Sequence, residues 1–271
     1  MVTQHPAGRL AAVRVARFTT GADPHYGIVE GSGADAFVAV LAGDPLYAGF
    51  ELTGERHELG AVRLLAPVIP RSKVVGVGRN YVEHAHELGH EVPSLPLVFL
   101  KPNTAVIGPG DPIRYPKQTE DLQYEAELAV VIGRMCRDLV ARRVPDVVYG
   151  YTCANDVTAR DLQNSDGQWA RAKGFDTFCP LGPWIETDLD PGDVAVRATL
   201  NGTVQQDGRT TDMVHDVPAL LCYVTSFTTL LPGDVVLTGT PAGVGPMRPG
   251  DSVTVSVEGI GDLTNPVVAR D

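Results

Sequence analysis

With 271 residues, 44% of them hydrophobic and 20% charged, the chain has the composition of a folded globular protein and the length to bury a large core. A formal net charge of −11 excludes long-range attraction to nucleic acid or to an anionic membrane surface, so an anionic ligand needs a local cluster of basic residues. No apolar run approaches the roughly 18 residues of a membrane span, and the start lacks a basic region followed by an apolar core. The cysteines Cys136, Cys153, Cys179 and Cys222 are irregularly spaced without a CxxC pair, so the expectation is a cytoplasmic protein with reduced thiols.

In chain order, residues 10–18, 26–30 and 36–41 predict short strands separated by Gly, Asp and Pro, the spacing of a small β-rich unit. The Pro-bounded stretch Pro67-Val68-Ile69-Pro70 sets a boundary near residue 70, so the expected domains are 1–70 and 71–271. The second opens on a buried strand, Lys73 to Gly78. Pro-Gly-Asp turns recur from Pro109, Pro191, Pro232 and Pro249, usually ahead of a β-branched run such as Val253-Thr254-Val255. Their unequal gaps exclude a solenoid or propeller repeat. Helices are few, with 80–90, 157–164 and 214–227 the main candidates, and the predicted class is α+β with β dominant.

The segment from Gln123 to Gly133 ends in a β-branched run and reads as one strand, which places Glu125 and Glu127 on one face and Tyr124, Ala126 and Leu128 on the other. Two carboxylates that close repel each other and resist desolvation unless a cation or protons compensate. An all-carboxylate shell favours Mg²⁺ or Mn²⁺, with Ca²⁺ also suited, over zinc. Taken alone, an ExE pair is more often a solvated strand edge. Residues 147–154 predict another strand, and Asp156 then stands where an N-cap would begin the next helix, a role that competes with metal ligation. Arg79, Lys101, Arg160 and Lys173 are candidate cations for a substrate carboxylate. His84 and Glu87, three apart on a predicted helix, share a face, so the carboxylate can orient the imidazole. The same stretch holds a literal HExxH, His86-Glu87-Leu88-Gly89-His90, but its extended form needs Gly and His where Pro93 and Pro96 stand, and Pro93 cuts the helix. A zinc peptidase using His86, Glu87 and His90 is therefore a distant alternative.

Several motifs stand in a fixed order: Gly78-Arg79-Asn80-Tyr81 with His84 and Glu87, Phe99-Leu100-Lys101-Pro102, Tyr124-Glu125-Ala126-Glu127-Leu128, Asn155-Asp156-Val157-Thr158-Ala159-Arg160-Asp161, Ala172-Lys173-Gly174-Phe175-Asp176, and Leu237-Thr238-Gly239-Thr240-Pro241-Ala242-Gly243. Over about residues 73–266 the chain resembles the fumarylacetoacetate hydrolase family, in its short acylpyruvase, oxaloacetate decarboxylase and 2-hydroxyhepta-2,4-diene-1,7-dioate isomerase-like branch. One departure is Gly174, where many members carry serine, and it bears on substrate preference. The resemblance implies a mixed β-sandwich or roll, a homodimer, and Glu125, Glu127 and Asp156 as metal ligands. It further implies His84, Glu87 and Lys173 as catalytic groups, with Arg79, Lys101, Arg160, Gln163 and the hydroxyl of Thr240 as substrate contacts. The expected activity is metal-dependent hydrolysis of a C–C bond in a small acylpyruvate-like 2-oxo acid. Decarboxylation or tautomerisation in the same site is the alternative, and a catalytically idle metal-binding module a further one.

Overall fold

The strand Ala126–Ile132 is buried along its whole length, as an apolar β-branched run between two packed layers should be. Alternation of side chains divides it between two cores. Ala126, Leu128, Val130 and Ile132 pack in one cluster with Val196, Val253, Val255 and Leu263. Ala129 and Val131 belong to a second, with Val15, Val68, Val74, Val235 and Leu237. Glu127 has the parity of this second set, so the strand's direction alone points it away from the first core.

The computed structural model describes residues 12–269 apart from 22, 88 and 90. Ala126–Ile132 lies near the middle of a 12-stranded mixed sheet, flanked by Val148–Asn155 on one side and Val235–Leu237 on the other. Val74–Gly78 follows, parallel to Val235–Leu237, and Leu97–Lys101 closes that edge. A five-stranded sheet containing Ala195–Leu200, Ser252–Val257 and Gly261–Ala269 packs over the first core, which makes the β-dominant sandwich expected from the sequence. The N-terminal strands Arg14–Thr19, His25–Glu30, Phe37–Leu41 and Leu52–Glu58 continue the large sheet, because Arg14 and Val15 pair with Glu186 and Ile185. A small core of Ala16, Phe18, Val29, Val38 and Val40 backs them. Residues 10 and 11 of the first predicted strand lie outside the described residues.

All three predicted helices form with changed bounds: Arg160–Asp166 both starts and ends later than expected, and Val82–Glu87 and Val217–Phe227 are shortened. The last begins on Asp216, whose carboxylate accepts the Ala219 N–H at 2.8 Å, with a proline in the first turn where no backbone donor is needed. No described helix is long and apolar enough to cross a membrane. The four cysteines are unpaired, three of them buried and Cys222 half-buried.

Gly76 fixes how the edge strand Leu97–Lys101 meets its neighbour. It pairs with Phe99, and a Cβ there would lie 2.2 Å from the Phe99 ring. That ring packs edge-on to Trp169 at 5.4 Å and lies 5.1 Å from the Lys173 ammonium. Gly76→Ala is therefore expected to displace Phe99 and destabilise the protein by about 1–3 kcal/mol, the usual range for overpacking. Urea unfolding followed by circular dichroism checks it.

Candidate functional site

The predicted strand through residues 123–133 is two strands, because the chain breaks at Glu125. Leu122–Tyr124 joins a separate three-stranded sheet, and the long strand begins only at Ala126. Side-chain amides replace the ladder at the break. The Glu125 N–H donates to Asn155 Oδ1 at 3.0 Å and the Ala126 N–H to Gln206 Oε1 at 2.9 Å, while the Glu125 carbonyl accepts the Asp156 N–H at 2.9 Å. Through this bend the carboxylates of Glu125, Glu127 and Asp156 converge, each offering an oxygen within 4.8 Å of the others. All three are buried, which removes the solvated strand edge as an explanation.

Asp156 does not cap a helix, contrary to the position its sequence context suggests. It follows the strand Val148–Asn155, and the helix starts at Arg160 with Ala159 at the cap and no side-chain cap bond. Long-range partners decide its role. Its Oδ2 accepts from Lys173 Nζ at 2.7 Å, and its Oδ1 accepts from Lys101 Nζ. Lys173 sits on the short helix Ala170–Gly174 and also donates to Glu125 Oε2 at 2.7 Å. Arg160 donates Nη2 to Glu125, Nε to Gln123 at 2.9 Å and Nη1 to Gln163.

Charge is thus unevenly distributed over the trio. Burial would raise the pKa of Glu125, but Lys173 and Arg160 overcome it and hold the carboxyl well below its usual range. Lys173 is likewise kept charged: burial works to lower its pKa, and Asp156 and Glu125 more than reverse that. Glu127 forms no ion pair among the described residues, and Lys173 offsets its environment only in part. It accepts one backbone N–H, from Gly239 at 2.6 Å, and burial followed by repulsion from Asp156 and Glu125 pushes its pKa far up. A buried carboxylate beside two others, without an ion pair of its own, is what a bound cation relieves.

A cavity of about 330 Å³ opens on this cluster. Of the residues singled out in the sequence, Arg79, His84, Arg160, Gln163, Lys173 and Thr240 line it together with Glu125 and Glu127. Lys101 does not, which corrects its expected role as a substrate contact. The residue is 1% exposed and its ammonium is engaged by Asp156 and by the Val157 carbonyl at 3.2 Å, so it braces a ligand-type carboxylate instead. Thr240 lines the cavity, but its hydroxyl proton is given to the Ala126 carbonyl at 2.8 Å and its oxygen accepts from Gln206 Nε2 at 2.8 Å. The expected hydroxyl contact to substrate can therefore be an acceptor only.

His84 is buried on the helix Val82–Glu87, with Nδ1 3.3 Å from Glu87 Oε2. Burial lowers its pKa against the opposing pull of Glu125 and Glu87, so the neutral imidazole is favoured. Glu87 also accepts the Gly243 N–H, at 3.1 and 3.2 Å, which ties this helix to the glycine loop. Gly239 and Gly243, at φ 97° and 98°, adopt backbone geometry that favours glycine, and their N–H groups meet Glu127 and Glu87. His86 is exposed, the helix ends at Glu87, and His90 lies outside the described residues, so the HExxH pattern forms no described two-histidine face. Sequence reasoning missed Trp169, which lines the cavity, and Gln123 and Gln206, which hold Arg160 and Thr240. Trp169 carried a signal in rarity alone, being one of two tryptophans.

Comparison with known proteins adds the family context. The family model described as Fumarylacetoacetate (FAA) hydrolase C-terminal matches residues 73–268, and one described as Rv2993c-like, N-terminal, matches residues 13–67. Protein Rv2993c of Mycobacterium tuberculosis is 55% identical over 221 residues, 80% of this chain and 83% of that one. An oxaloacetate tautomerase, fahd2 of Xenopus laevis, is 42% identical over 76% of this chain and 69% of its own length. An oxaloacetate decarboxylase of Dictyostelium discoideum is 43% identical over 69% of this chain and 89% of its own. The crystal structure of a 5-carboxymethyl-2-hydroxymuconate delta-isomerase from Mycobacterium smegmatis superposes with a TM-score of 0.88 at 50% identity, covering 95% of this chain and all of that one.

Proposed function

The chain belongs to the fumarylacetoacetate hydrolase family, and from that premise we propose that it is a divalent-metal-dependent enzyme that forms and protonates the enolate of a small 2-oxo acid activated by a second carbonyl or carboxyl group. The carrying observation is a buried imidazole, favoured in its neutral form, that lines one small cavity with Glu125 and Glu127, whose carboxylates converge with that of Asp156. A base and an electrostatic centre so placed suit proton transfer next to a carbonyl. Relatives named oxaloacetate tautomerase and oxaloacetate decarboxylase support this reading, since both reactions pass through the enolate of a 2-oxo acid, that of oxaloacetate in the first and, after loss of CO₂, that of pyruvate in the second.

The donor set fits a hard divalent cation: three carboxylate oxygens within 4.8 Å of one another, one of the carboxylates without an ion pair among the described residues, and neither sulfur nor imidazole in the group. Held by Glu125, Glu127 and Asp156, Mg²⁺ or Mn²⁺ (or Ca²⁺) would polarise the 2-oxo group as a Lewis acid. The protein's own side chains do the rest. His84 takes the proton from the substrate carbon or returns it, and Glu87 orients its ring through Nδ1. Lys173 and Arg160, both buried and fixed by Glu125, hold positive charge beside the developing anion without having to reorganise. Hydrolysis of an acylpyruvate is the second reading, favoured by the family's name and by a base able to deprotonate water as readily as carbon. The homodimer expected from the resemblance is part of the proposal, and sedimentation velocity reads it.

The test is a panel of oxaloacetate and acetylpyruvate with Mg²⁺, Mn²⁺ or chelator. Enol–keto interconversion is followed by absorbance, and pyruvate by coupled reduction. Metal-dependent acceleration on oxaloacetate is expected. Pyruvate and acetate from acetylpyruvate would promote hydrolysis to first place, and no acceleration on either acid would sink the proposal.

A further inference from the structure

We infer that Arg79 is the specificity-determining residue of this pocket, pairing with a second carboxylate at the far end of the ligand and so selecting 2-oxo diacids over 2-oxo monoacids. The inference rests on the proposed function, because the near end of the ligand is placed at the carboxylate trio.

The cations around the cavity fall into two kinds. Arg160, Lys173 and, behind them, Lys101 are all engaged by Glu125 or Asp156. Arg79 lines the same cavity and has no carboxylate partner among the described residues; its guanidinium lies 5.9 Å from the Trp169 ring, which also lines the wall. Partial burial already penalises its charge. A half-buried guanidinium facing a cavity, with its fork of donors unused, is poised for a planar anion arriving with the ligand.

The backbone is built to hold it there. Arg79 adopts φ 58°, a left-handed conformation that disfavours any residue with a Cβ. Its neighbour Asn80 fixes that geometry: its amide donates to the His215 carbonyl at 2.9 Å and the Thr238 carbonyl at 2.8 Å, its Oδ1 accepts the His215 N–H at 2.9 Å, and its carbonyl accepts the Val214 N–H at 2.8 Å. On the other side Gly78 leaves room for Trp169, since a Cβ there would lie 2.6 Å from the indole. A solvated surface arginine needs neither the strain nor the clamp.

The cavity, about 330 Å³ in volume, is small enough for one diacid to reach from the carboxylate trio to Arg79.

The experiment uses two stable 2-oxo acid mimics of near-equal shape, N-oxalylglycine with a distal carboxylate and N-ethyloxamate with a distal methyl. Binding to the Mg²⁺-loaded protein is measured by calorimetry, in parallel with the turnover panel. The parent is expected to prefer N-oxalylglycine. Arg79→Met should weaken that ligand roughly 10- to 100-fold, the value of one charge-assisted pair, and change N-ethyloxamate by less than about threefold. Arg79→Lys, which keeps charge without the fork, should fall between. Equal loss for both ligands, no loss, or a parent that binds neither would overturn the inference. A parent that discriminates as expected yet turns over no 2-oxo acid would overturn the proposed function and leave the Arg79 assignment standing.

Discussion

Glu127→Gln is expected to reduce metal-dependent turnover by more than about 100-fold, beyond the 10- to 100-fold typical of groups behind a metal ligand, while leaving the metal-free protein as stable as the parent or more so at neutral pH. The two halves have opposite signs for one reason. Without a cation, Glu127 is the carboxylate that burial, Asp156 and Glu125 all oppose, so its folded-state pKa lies well above the ordinary 4.5. The folded state then binds more protons than the unfolded state above pH 4.5. Metal-free stability should therefore fall as pH rises from there toward the elevated value, by up to about 1.4 kcal/mol per unit. Glutamine removes the charge and flattens that slope. Glu125→Gln should do the reverse. Lys173 and Arg160 hold Glu125 below its ordinary range, so its contribution is present above pH 4.5 and lost as pH falls. Removing its charge leaves the buried Arg160 without a carboxylate and Lys173 with Asp156 alone, at a cost of about 3–5 kcal/mol. Urea unfolding of the chelated proteins between pH 5 and 8 separates the two. Adding Mg²⁺ should stabilise the parent by about 2.7 kcal/mol at a hundredfold excess over Kd and should not stabilise Glu127→Gln. Equal destabilisation by both substitutions, or Mg²⁺ stabilisation that survives in Glu127→Gln, would contradict this account of the trio.

What could be read from the sequence was what depends on near neighbours. Alternation put Glu125 and Glu127 on a common side, and the run Val130-Val131-Ile132 marked a buried strand behind them. The break at Glu125 could not be read, because the amides that cause it come from Asn155 and Gln206, 30 and 80 positions away. The same limit misplaced Asp156 as a cap: local rules favour a short polar residue at a helix start, but Lys101 reaches it from 55 positions upstream. For Lys101 and Thr240 the residue type was informative and the partner was not. A lysine in a basic cluster and a threonine in a glycine loop both look available until Asp156 and the Ala126 carbonyl are seen to engage them. The helix Ala170–Gly174 is too short for a 3.6-residue pattern to register, although it carries Lys173. In the N-terminal region the first three strands were legible but Leu52–Glu58 and Arg63–Leu65 were not, and the pairing of Arg14 and Val15 with Glu186 and Ile185 depends on contacts across most of the chain.

His84→Asn is expected to lower kcat by about 10²- to 10⁴-fold, the usual contribution of a positioned general acid or base, and to leave Mg²⁺ affinity within about threefold, because His84 is not among the converging carboxylates. The pH profile distinguishes a base from a merely structural residue. Burial lowers the His84 pKa below the ordinary 6.5, with Glu125 and Glu87 opposing, so the neutral form persists below that pH. The acidic limb of kcat/KM in the parent should accordingly fall below pH 6.5 and vanish in His84→Asn. In Glu87→Gln the limb should move further down, since the carboxylate that favours the imidazolium is gone, while the amide oxygen can still accept the Gly243 N–H. Full activity in His84→Asn would remove the imidazole as the base. Lys173 is poorly suited to take that role, because Asp156 and Glu125 hold its ammonium charged at the pH where a base is needed. A surviving rate would therefore mean that the proton passes directly between substrate and solvent, and the rate should then track buffer concentration in the variant and not in the parent.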